Sequence, residues 1–174
     1  MNIIYLIISV ITLLCQPCYG QNDFVSWDKK YVPKSYKQLI SEEKAYAIKV
    51  GKEEKKPHDY SRFDTYRMSG KFMGKSRLID LRVMQSMKVV CFSWGRTLPK
   101  PETLNSLISS EYLFNIEGIE VWMPIQKVLE KPLREEIGIG ETVMLYCVFL
   151  NDKRLNQPLY NTLLVSEFRK STDK

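Results

Sequence analysis

Residues 118–151 constrain the fold of this chain more than any other segment. Tyr112–Phe114 and Ile119–Met123 flank a turn-like Asn115–Gly118, which predicts a hairpin. Pro124 then predicts the end of the strand and suits the first turn of a helix, where its missing N–H is not needed. Ile125, Val128, Leu129, Leu133 and Ile137 recur at helical spacing and define one apolar face. Pro132 falls inside that pattern and predicts a kink or a second short turn. Gly138 and Gly140 end it. Thr142–Leu150 is a nine-residue apolar run, so the strand it predicts needs cover on both faces. The segment therefore reads as strand, helical crossing, strand.

The other elements follow from the same patterns. PKSYKQLISEEKAYAIKVG predicts a short helix near Pro33, and GKEEKKPHDYSR (51–62) an exposed loop. YRMSGKFMG predicts a strand ending in a turn. SRLIDLRVM alternates in period two, and MKVVCFSWG is apolar and rich in β-branched and aromatic residues, so both predict strands. RTLPKPETLNS predicts a loop leading to a brief helix over 101–109. Leu159–Arg169 predicts a last strand paired with the one before it. A five-stranded Greek-key barrel of the oligonucleotide/oligosaccharide-binding (OB) type carries its helix between the third and fourth strands. The order of elements predicts a mainly β chain of that OB-like kind. The alternative is an α+β sheet with one packed helix. The expected division is a leader over 1–20, a polar basic extension over 21–63, a barrel over 64–170 and a tail over 171–174.

The first twenty residues carry no charged side chain. Ile3–Leu14 has the length of a signal-peptide core, Pro17 breaks it, and Cys18 and Gly20 suit a cleavage before Gln21. Export to the periplasm or the medium is the expectation. Cys15 and Cys18 would leave with the leader, and Cys91 and Cys147 would stay. Two thiols in an exported chain form a candidate disulfide, although the apolar surroundings of both fit core residues equally well. Residues 21–75 hold thirteen Lys or Arg against eight Asp or Glu, while the remainder holds thirteen against twelve. The basic excess predicts peripheral contact with anionic surfaces through residues 29–56.

Catalytic patterns are sparse. His58 is the sole histidine and sits in the charged loop, where a solvated role is expected. The carboxylate pairs Glu42/Glu43, Glu53/Glu54 and Glu135/Glu136 lie in polar runs. Asp80 and Glu167 are expected within strands. GIGE (138–141) follows a helix and precedes a strand, the reverse of a phosphate-cradling loop. No metal site and no cofactor are expected. The aromatic residues offer more. Phe92 and Trp94 alternate in the expected strand, Trp122 precedes the helix and Tyr146 follows it. Lys88, Phe92, Trp94, Arg96 and Trp122 form the candidate ligand-binding surface, with burial in the core as the competing assignment. The sequence thus points to an exported non-catalytic binding or scaffolding module for an envelope protein, a glycan or a peptide. A single-stranded nucleic-acid binder and a small hydrolase are the alternatives. Export disfavours the first of these, and the second lacks a visible catalytic set. Oligomeric state is not legible.

Overall fold

The computed structural model describes residues 24–53, 60–95, 98–153 and 159–171. The leader lies outside the described residues, as do His58, Glu54 and Arg96. The elements run α1 (Phe24–Lys30), β1 (Val32–Pro33), α2 (Tyr36–Glu53), β2 (Tyr60–Leu78), α3 (Leu81–Ser93), a 3-10 turn (Pro101–Thr103), α4 (Leu104–Leu107), β3 (Ile108–Ile116), β4 (Ile119–Gln126), α5 (Lys127–Glu136), β5 (Thr142–Lys153) and β6 (Tyr160–Lys170). The protein is mainly β, and its six strands form one mixed sheet.

The sheet turns on the length of β2. Its first part, Tyr60–Lys71, pairs antiparallel with β5, and Lys71–Leu78 pairs antiparallel with β3. Lys71 faces Thr142 on one side and Asn115 on the other, so the strand changes partner there. β3 pairs with β4 as a hairpin, β4 meets β6 in parallel at Ile125–Val165, and β6 returns antiparallel to β5. The pairings thus run in a circuit from β2 through β3, β4, β6 and β5 back to β2. The turn expected at the end of Tyr66–Gly74 is a bulge instead. Phe72 and Ser76 face Phe114 and Tyr112, leaving extra residues on β2. Gly74 sits in that bulge at φ 69, and a Cβ there would lie 2.5 Å from Ile139 Cγ1. Only glycine fits both the dihedral and the space.

An inner cluster takes side chains from every strand of the circuit. Met68, Phe72, Phe114, Ile116, Met123, Val143, Leu145, Phe149, Val165 and Phe168 belong to it. Leu129 and Leu133 of α5 and Ile137 at its C-cap join it as the spacing predicted, each worth about 2 kcal/mol of burial. Val128 points to solvent. Pro124 does not stop β4, which continues to Gln126, and Pro132 stays within one continuous helix. Alternate residues of β5 face outward. Val148 and Leu150 join a second cluster with Leu164 and with Met84, Met87, Val90 and Cys91 of α3. Both faces of β5 are therefore covered, as its composition required.

The largest departure from the expected elements is α3. Residues 81–93 form a helix, not strands. Asp80 is its N-cap, and its carboxylate accepts from the Arg82 N–H at 2.7 Å. Met84, Met87, Val90 and Cys91 repeat at three and four residues and make a buried stripe. Val83, Val89 and Phe92 fill the spaces between them, which hides the helical period beneath an apparent strand. β-propensity yields here to the burial of that stripe against the sheet.

The segment before Tyr60 is built into the molecule. Leu39 of α2 enters the inner cluster. The start of α2 is held by the β3–β4 turn, where Glu117 has φ 55 and Gly118 φ 83. The Glu117 carboxylate accepts from Tyr36 N at 3.1 Å, Lys37 N at 3.0 Å and Ser35 Oγ at 3.0 Å. The Lys37 backbone donor first, then the others, hold this carboxyl below its ordinary range against a burial contribution of opposite sign.

Candidate functional site

A concavity lies under α3. It is a cavity of about 120 Å³ bounded by Phe63 and Thr65 of β2, Cys91 of α3, Leu98 and Pro99, Leu104 of α4, Val148 and Leu150 of β5, Leu164 of β6 and Lys30 at the end of α1. Among the described residues no polar atom contributes to its wall. The local chemistry explains this. Thr65 Oγ1 donates to the Lys30 carbonyl at 2.9 Å, so its hydroxyl is already engaged. Lys30 contributes the apolar stem of its side chain, while the residue as a whole is exposed. Partial burial lowers the Lys30 pKa, and no carboxylate among the described residues offsets it. Burial pushes the Cys91 thiol up to about 11, so it is a weak nucleophile at neutral pH.

The residues expected to form a binding surface are distributed differently. In a helix, positions two apart point to opposite sides. Phe92 is 81% exposed. Trp94, at the C-cap of α3, packs edge-on to Phe63 with ring centroids 5.2 Å apart and donates Nε1–H to the Ser61 carbonyl at 3.3 Å. Lys88 is half-buried on α3. Trp122 lies on β4, away from α3, with the Arg77 guanidinium 4.3 Å over its ring. Arg77 Nε also donates to buried Glu111 at 2.8 Å. Lys88, Phe92, Trp94 and Trp122, the four of these residues that the structure describes, do not make one patch. Cys91 and Cys147 are both free thiols, one in the outer and one in the inner cluster, so the sheet separates them and no bridge joins them. Burial drives the Cys147 pKa far upward.

Two polar networks were not legible in the sequence. Asp28 of α1 accepts from Tyr146 Oη at 2.9 Å, Arg67 Nη1 at 3.1 Å and Arg169 Nη1 at 3.3 Å. Around it Phe24, Trp27 and Tyr31 pack on Tyr146. Burial pushes the Asp28 pKa upward, but the Tyr146 hydroxyl and the two guanidinium groups outweigh it and leave the carboxyl lowered. The second network is centred on Glu43 of α2, which is buried against Arg62 Nη1 and accepts from Asn151 Nδ2 at 3.0 Å. Arg62 also pairs with Asp64 at 2.6 Å. Burial raises the Glu43 pKa against the opposing pull of Arg62. Its neighbour Glu42 is engaged by Lys34 at 2.7 Å. Each network ties an N-terminal helix to the sheet. The Asp28 network joins side chains more than a hundred residues apart, a separation no local pattern reveals.

Glu135 faces Lys131 at 3.8 Å on the exposed side of α5. Among the described residues no group of His, Cys, Asp and Glu is arranged to hold a metal ion. No family model, curated protein or solved structure matches this chain. Its chemistry rests on the geometry above.

Proposed function

We propose that the protein is an exported, non-catalytic binding module on an OB-like barrel, and that it takes its ligand beneath α3. The circuit of pairings supports the OB-like reading. The five strands β2 to β6 close through one parallel contact, and α5 stands between the third and fourth of them. The observation that carries the binding reading is the cavity with its wholly apolar wall. Such a space is inhospitable to water, which needs two to four polar partners, and it suits an apolar group.

Two features count against a nucleic-acid platform on the outer β3–β4 face. Trp122 is already covered by Arg77, and Glu111 and Glu120 add negative charge to those strands. Stacking on bases needs an open aromatic face flanked by free cations. The apolar leader core supports export. Titration of the mature chain with small apolar molecules, followed by amide chemical shifts, tests the binding reading. Shifts confined to the cavity wall, and weakened by Val148→Leu, are expected. Shifts centred instead on Arg77 and Trp122 with oligonucleotides would overturn it.

A further inference from the structure

We infer that the cavity under α3 takes a short aliphatic monocarboxylate, its tail among Phe63, Cys91, Leu104, Val148 and Leu164 and its carboxylate against the Lys30 ammonium at the rim. This rests on the binding reading above and adds the chemical class of the ligand.

Size sets the tail. At about 120 Å³ the space is slightly smaller than engineered apolar cavities of about 150 Å³ that stay dry and take benzene. A chain of roughly four to six carbons fills it by that comparison. The composition of the wall sets the polarity of the tail. The thiol of Cys91 is the most polar side-chain group in the buried part of the wall, and thiols behave there as small apolar groups. The Thr65 hydroxyl is bonded to the Lys30 carbonyl. A ligand with a hydroxyl or amide along its chain would strand that group without a partner, so an unsubstituted chain is selected.

Charge sets the head. Among the described residues of the wall, Lys30 alone carries a charge. Among the described residues its ammonium forms no ion pair with a carboxylate, whereas Lys34 pairs with Glu42 and Arg67 of β2 with Asp28. Partial burial already disfavours its charge. An arriving carboxylate would supply a counter-ion, and charge-assisted bonds of this type are the stronger ones. A cationic ligand would meet repulsion at the rim, and a neutral one would leave Lys30 as it is.

The test is a titration series on the mature chain with propanoate, butanoate, pentanoate, hexanoate, octanoate and hexan-1-ol. Binding is read from the amide shifts of Leu98, Leu104 and Val148, on wild type and on Lys30→Gln. Lys30 is on the surface, so the variant is expected to fold. The expected result is tightening by about fourfold per methylene up to five or six carbons and none beyond. Lys30→Gln should weaken hexanoate about tenfold and hexan-1-ol by much less, through the shorter stem alone. Equal binding of hexanoate by wild type and Lys30→Gln would overturn the carboxylate assignment and leave the cavity reading standing. Failure of every acid and of hexan-1-ol to shift the wall residues would overturn both.

Discussion

Glu117 shows how much a single side chain carries in this fold. It occupies a left-handed backbone conformation in a two-residue turn, a place that favours Asn or Gly. Its carboxylate nevertheless binds two backbone donors and a hydroxyl at the start of α2. Glu117→Ala keeps the strain and loses the cap, so a cost of about 1–2 kcal/mol is expected. Denaturant unfolding measures it, with Glu117→Gly as the control that relieves the strain. The cysteines make a second case at this scale. Cys91 borders a cavity with an opening, whereas Cys147 is enclosed by the inner cluster. A small apolar thiol reagent at pH 8 should label Cys91 slowly and Cys147 only after unfolding. Intact mass with time reads the two steps, and simultaneous labelling would contradict the placement of Cys147.

At the scale of elements, α1 is held by the Asp28 network together with the packing of Phe24 and Trp27 on Tyr146. The Asp28 pKa is lowered in the folded chain, so the stabilisation is complete above the unfolded value of about 3.9 and is lost as pH falls through the folded value. Docking of α1 should therefore be constant above about pH 5 and weaken progressively as pH falls below about 4, through the lowered folded value. Trp27 fluorescence follows it, since that ring stacks on Tyr31 at 5.2 Å and meets Tyr146 edge-on. Asp28→Asn should abolish this pH step. Most elements were legible from local pattern: the β3–β4 hairpin, the apolar stripe of α5, the doubly covered β5, α2 and β6. The exception is instructive. Met84, Met87, Val90 and Cys91 do carry the helical period, but Val89 and Phe92 are apolar too, so the run satisfies a strand equally well. Asp80 was the available cue, since an Asp ahead of an apolar stretch is an N-cap candidate. The candidate site fared worse because its wall gathers residues from α1, α3, α4 and three strands. Only tertiary packing places Lys30 beside Cys91.

For the whole molecule, the leader and the sheet make separate claims. If export is correct, protein from its natural host should be found outside the cytosol with a mass matching a start at Gln21. The mass should show no two-dalton deficit, since the thiols lie on opposite sides of the sheet. A full-length cytosolic mass would return the nucleic-acid alternative to contention. Among the described residues no helix is long and apolar enough to cross a membrane. The circuit of strands is also uneven. β2 and β5 match residue for residue from Tyr60–Lys153 to Lys71–Thr142, whereas β4 and β6 share the single register pair Ile125–Val165. That parallel contact is the slightest link in the circuit of pairings. Amide exchange under native conditions should breach first along β4 and β6, while the β2–β5 amides persist until global unfolding. The protein would then breathe by unfastening at one seam, and the inner cluster would be wetted from there and not from the side where α3 covers the sheet.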